Sequence, residues 1–187
     1  MNIPELHRRA VDYFGSLVHR VGDNQWGSPT PCTEWDVRAL VNHLVYENRW
    51  TVPLMEGRTI EEVGDRFEGD LLGLDPKAAW DEASEQAVNA VQADGAMVRT
   101  VHLSFGYFPG EEYARQLFTD HLIHGWDLAR GIGAEDTLDH ELAEACFEIN
   151  KPQEDSLKSS GAFGEKIEPD PGADLQTKLL AVFGRKR

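Results

Sequence analysis

An all-α fold is what this sequence predicts, and three observations carry the prediction. Five long segments repeat apolar residues at three- and four-residue intervals, the spacing that lines one face of a helix. The one β-prone run, Ala96 to Phe108, is too short to build a sheet by itself. The 187 residues, with 41% apolar content, five Trp and eight Phe, are enough to bury one sizeable core, so residues 1–187 are expected to form a single domain.

The first helix is expected from Pro4 to about Val21, with Leu6, Ala10, Tyr13, Phe14, Leu17, Val18 and Val21 on its apolar face and Pro4 in its first turn. Gly22 to Cys32 is rich in turn formers and reads as an ordered connection pinned by Trp26. Thr33 looks like an N-cap, and with Glu34 and Asp36 favouring the positive helix end, a second helix is expected from Glu34 to about Val52, where Pro53 stops it. Its core stripe is Val37, Leu40, Val41, Leu44 and Val45; a second stripe holds Ala39, His43, Tyr46 and Trp50. Met55 to Asp75 is acidic and Gly-punctuated, a connection with a short helical turn around Thr59 to Val63. A third helix runs from Pro76 to Asp94-Gly95, and Ala96 to Phe108 is an extended crossover or small hairpin. Pro109-Gly110-Glu111-Glu112 opens a fourth helix that ends at Gly131. A fifth pattern spans Asp139 to about Leu157, Lys158 to Asp174 is loop-like, and Leu175 to Phe183 is a short docking helix.

Composition narrows the function. A net charge of −15 with no compensating Lys/Arg cluster repels phosphate backbones and argues against nucleic-acid binding. No apolar run reaches the length of a membrane span, and the first residues lack the apolar core of a secretion signal, so a cytoplasmic protein without membrane attachment is expected. Cys32 and Cys146 stand far apart, carry no Cys-x-x-Cys spacing and need no pairing. Cys32 precedes a helix N-terminus, yet no His or Lys beside it in sequence supports a nucleophile, and it reads as an inert thiol.

The chemistry concentrates in Asp120-His121-Leu122-Ile123-His124-Gly125-Trp126-Asp127. Residues four apart on a helix project side by side, so Asp120 and His124 are placed to grip one cation, while His121 with His124 offers a competing spacing. His43, in the aromatic stripe of the second helix, is the leading third donor, and an all-α bundle builds such sites from facing side chains. Asp127 is a candidate carboxylate behind the ligands. His121 falls on the apolar face beside Leu117 and Leu128, where packing explains it as well as ligation does. His7, His19, His102 and His140 have no spacing argument, and Trp35, Trp50 and Trp126 read as packing anchors.

Three ordered motifs carry a resemblance: Pro29-Thr30-Pro31-Cys32-Thr33-Glu34-Trp35-Asp36-Val37-Arg38 through Leu44, then Asp120 through Arg130, then Leu179 through Arg185. Together they resemble the DinB/YfiT-like metalloprotein superfamily, and within it the actinobacterial branch related to the N-terminal domain of mycothiol-dependent maleylpyruvate isomerase. The resemblance spans nearly the whole chain and implies a four-helix bundle of up-down-down-up type, with additional short C-terminal helices. It implies one divalent metal, zinc or alternatively nickel, held by His43, Asp120 and His124; relatives often have His or Glu where Asp120 stands. The isomerase carries a further C-terminal domain, so thiol chemistry of this type is expected rather than maleylpyruvate isomerisation itself.

Three protein ligands leave positions for water or a thiol. What the resemblance implies is therefore an S-transferase or isomerase that uses a low-molecular-weight thiol such as mycothiol on a small electrophile. Arg38 and Arg130 are candidates to receive a polar group of the bound molecules. The alternative readings are a metal-binding sensor or partner-binding module without catalysis, and a helical interaction protein without metal. A homodimer through the bundle faces is a further expectation from the superfamily.

Overall fold

The computed structural model describes residues 2–153 and 167–187, and they are mostly helical, as expected. The chain forms two compact units, Met1–Ala134 and Glu135–Arg187. No helix among the described residues is long and apolar enough to cross a membrane.

The first unit opens with α1, Ile3–Val18, where the Asn2 side chain accepts a hydrogen bond from the Glu5 backbone N–H and Pro4 sits in the first turn, which has no need of its missing donor. The second helix, α2, covers Val37–Met55 and is capped by Asp36, whose carboxylate accepts from the Ala39 N–H at 2.8 Å. Thr33 is therefore not the cap, and Glu34 is not helical. Residues 29–36 instead form a tight strap: Pro29 bridges Asp36, the Trp35 N–H donates to Cys32 O, and the Thr30 hydroxyl is placed to donate to Cys32 O or Trp35 O. Those local bonds outcompete one more helical turn. At the other end Pro53 does not stop the helix, which continues to Met55. A proline one turn from the end removes a single i to i−4 donor, a loss that the last turn tolerates.

The short helix α3, Ile60–Val63, starts on a capping box in which Thr59 and Glu62 exchange bonds. Asp75 caps α4, Pro76–Gln92. After a single 3₁₀ turn at Ala96–Val98, β1 (Thr100–Leu103) and β2 (Gly106–Pro109) make an antiparallel hairpin with Val101 opposite Phe108 and His102 opposite Tyr107. This settles the extended-or-hairpin alternative as a hairpin. Then α5, Gly110–Gly131, spans the unit.

In the first unit α1 packs along α5 and α4, and α2 along α4 and α5. Phe14, Leu17, Leu40, Leu44, Trp80 and Leu128 share one apolar cluster, each side chain worth about 1.5–3 kcal/mol of burial. Close approach depends on two glycines: a Cβ at Gly125 would meet the Tyr13 ring at 2.5 Å, and one at Gly15 would meet the Trp80 indole nitrogen at 2.7 Å. A second cluster joins the end of α2, the hairpin and the start of α5 through Leu54, Met55, Val101, Tyr113 and Leu117.

In the second unit α6, His140–Asn150, packs on α7, Leu175–Val182. The helix expected to reach Leu157 ends at Asn150 and gives way to a 3₁₀ turn at Lys151–Gln153; the rest of that expectation, and the loop through residue 166, lie outside the described residues. Gln176 ties the connection before α6 to α7, accepting from Leu138 N–H and donating to Asp136 O.

Candidate metal centre

The facing sides of α2 and α5 bring together His43, Asp120 and His124, three donors whose ligating atoms all lie within 4.8 Å of one another. Asp120 stands between the two imidazoles. Its Oδ2 is 3.1 Å from His43 Nε2, and its Oδ1 is 3.4 Å from His124 Nε2. A tetrahedral ion with ligand bonds of about 2.0–2.1 Å separates its donors by roughly 3.3–3.4 Å, so these distances match such an ion's edges. Both His43 and Asp120 keep 24% of their side chains exposed, whereas His124 keeps 7%; the cluster is anchored on a dry residue and open at the other two.

Behind His124 stands Asp127, wholly buried, with Oδ2 at 3.0 Å from His124 Nδ1. With the ring neutral, an Nδ1–H donating to Asp127 leaves Nε2 with its lone pair directed at the cluster, the tautomer a metal ligand needs. The spacing that suggested Asp127 as a supporting carboxylate is thus realised in space. The donor chemistry and the carboxylate at His124 Nδ1 both fit a divalent ion, which would take the place of the Nε2 proton.

Electrostatics within the cluster follow from the same geometry. Burial alone would lower the His124 pKa, but the Asp120 and Asp127 carboxylates raise it to about 9. Burial likewise opposes the Asp120 charge, yet His124 and His43 hold that carboxyl well below its ordinary value. Glu47 joins the cluster's field from one turn beyond His43: burial and the neighbouring Asp120 push its pKa up to about 7. Sequence reading passed over Glu47, although its four-residue spacing from His43 was the available signal.

Trp35 was read as a packing anchor and proves to cover the cluster. Its ring centroid lies 4.5 Å from that of His43 and 5.4 Å from that of His124. The strap at residues 29–36 accordingly closes one side of the site. His121 is placed elsewhere: its Nδ1–H donates to Leu117 O at 2.7 Å, and its ring packs among His7, Phe14 and Trp80. Packing, its alternative explanation, is what the structure displays.

Arg38 holds a turn near the end of the acidic connection, with Nη2 2.9 Å from Asp70 and 3.0 Å from Gly73 O, while Asn42 binds Gly69 O and the Leu71 N–H. Arg130 is exposed and lies over the Trp126 ring at 5.7 Å. A cavity of about 190 Å³ opens further along α2, lined by Arg49, Pro53, Arg66 and Phe67 among others, and contains none of the three donors.

Residues 7–129 match the family described as the mycothiol maleylpyruvate isomerase N-terminal domain, a span that includes His43, Asp120, His124 and Asp127. The chain is also similar to two uncharacterized proteins of Mycobacterium tuberculosis, from strains CDC 1551 / Oshkosh and ATCC 25618 / H37Rv. Each is 36% identical over 141 residues, covering 73% of this chain and 71% of the relative. No solved structure matches.

Proposed function

We propose a thiol-activating metal site for this chain, which belongs to the mycothiol maleylpyruvate isomerase N-terminal domain family. The observation that carries the reading is the placement of Asp120 between two imidazoles, one of them oriented by a buried carboxylate. On this reading α1, α2, α4 and α5 are the up-down-down-up four-helix bundle of the DinB/YfiT-like superfamily, supported by the packing of α1 and α2 on α4 and α5.

His43 and His124 supply neutral Nε2 donors, and Asp120 adds the one negative charge of the set. Zinc is the expected ion and nickel the alternative, since imidazole and carboxylate donors suit both. When bound, such an ion supplies the Lewis acidity that makes a small thiol, of the mycothiol type, reactive as a thiolate near neutral pH. Asp127 keeps His124 in the ligating tautomer, Trp35 excludes water from one side, and the exposed edges of His43 and Asp120 leave room for thiol and electrophile. Arg38, by exchanging its Asp70 partner, and Arg130 are the candidate cations for a carboxylate of either molecule. The product is an S-conjugate or an isomer released from one, and the setting is the cytoplasm, with a homodimer as the expected assembly.

The test is thiol consumption by zinc- or nickel-loaded protein mixed with mycothiol and a panel of small electrophiles. Consumption that needs the metal and disappears in His124→Ala supports the reading. Metal uptake without thiol consumption under any pairing would reduce the protein to a non-catalytic metal-binding module.

A further inference from the structure

We propose that Cys32, His124 and Asp127 form a second cation site, suited to a soft, strongly thiophilic divalent ion such as cadmium, which shares His124 with the first donor set and is filled in alternation with it. The Cys32 sulfur, a ring nitrogen of His124 and a carboxylate oxygen of Asp127 all lie within 4.8 Å of one another. Roughly 3.3–3.6 Å separates the donors of a tetrahedral thiolate-containing site, so these three atoms close by up to about 1.3 Å around an ion whose fourth position is left to another ligand.

Alternation follows from the imidazole. Asp127 faces His124 at Nδ1, and Asp120 faces it at Nε2, which places the two donor sets at opposite edges of one ring. A neutral imidazole has one lone pair for an ion and one N–H. An ion taken at the Nδ1 edge moves the proton to Nε2, and that tautomer has no lone pair for the first set. One ring therefore serves one ion at a time.

Charge and softness favour the second set for a thiophilic cation. Thiolate and carboxylate together cancel a divalent charge, whereas the first set brings one carboxylate; in a site where His124 is 6% exposed and Asp127 is wholly buried, that neutrality counts. Position is built in as well. The Thr30 hydroxyl and the Trp35 N–H both engage Cys32 O. The strap lies against the end of α5, where a Cβ at Gly131 would meet Thr30 Cγ2 at 3.1 Å. The thiol is thus held beside the α5 residues it would join, which changes the reading of Cys32 from an inert thiol to a ligand.

The alternation rests on the first set also being a metal site, and cobalt(II) separates the two claims. Apo protein is titrated with cobalt(II) under reducing conditions while sulfur-to-cobalt charge transfer is followed in the near ultraviolet and tetrahedral d–d bands in the visible. We expect charge transfer in the wild type and in His43→Ala, its loss in Cys32→Ser with d–d bands retained, and loss of both in His124→Ala. Asp120→Asn, close in size, serves in place of His43→Ala should that variant not fold, and Cys146→Ser should match the wild type. Charge transfer that is absent from the wild type or persists in Cys32→Ser overturns the second site and leaves the first standing. Two cobalt ions per chain overturn the alternation, and no cobalt in any protein overturns both sites.

Discussion

Asp120 meets two imidazoles with its two oxygens, at 3.1 and 3.4 Å, and the donor set depends on residues that keep those rings oriented. Asp127→Asn is expected to lower zinc affinity about 10–100-fold, the usual cost of losing an orienting carboxylate, measured by competition with a chromophoric chelator. Unchanged affinity would remove Asp127 from the site. A second residue-scale effect concerns His7, wholly buried, whose pKa burial and then His121 hold well below the ordinary value. The unfolded chain protonates this ring near pH 6.5 and the folded chain does not, so its contribution is fully present above about pH 6.5 and is lost as the pH falls. Denaturation midpoints should fall on acidification below about pH 6.5, and more shallowly in His7→Leu; equal slopes would contradict this account. The grouping of His43, Asp120 and His124 was legible in sequence because Asp120 and His124 lie one turn apart and His43 interrupts an aromatic stripe. The nearness of Trp35 and Cys32 to His124 was not legible, because it comes from the fold of the strap and has no sequence period.

At the scale of elements, helix existence was readable and helix edges less so. Apolar spacing placed all four long helices of the first unit, since a periodic face survives small errors of register. The start of α2 was misplaced because Thr33 and Asp36 are both good caps, and the bonds made by Thr30 and Trp35 decide between them. Pro53 misled for a related reason: its position near a helix end matters more than its identity. The junction between the hairpin and α5 offers a direct test. A Cβ on Gly110 would run into the backbone carbonyl of Ala96, which cannot swing aside as a side chain can. Gly110→Ala should therefore destabilise the fold by about 1–3 kcal/mol in urea denaturation, despite alanine's better helix propensity. A stabilised variant would mean that this contact is slack.

For the whole molecule, the net charge of −15 sets the background against which a cation site operates, since a divalent ion also relieves part of the self-repulsion. Zinc at a hundredfold excess over its Kd should stabilise the folded state by about 2.7 kcal/mol. For a chain of this size that raises Tm by roughly 5–11 °C, reversed by chelator. All three donors lie in the first unit, so its transition is the one that should move; a Tm indifferent to zinc and chelator would favour a plain helical interaction protein. The most direct test of the central claim is elemental analysis of zinc- or nickel-incubated protein after exhaustive dialysis. The wild type, Cys32→Ser, and Cys32→Ser combined with His43→Ala would be compared, the cysteine change isolating the first donor set. The account predicts close to one ion per chain in the first two and none in the third. No metal in the wild type, or undiminished metal in the double variant, would contradict the assignment of His43, Asp120 and His124 as the ligands.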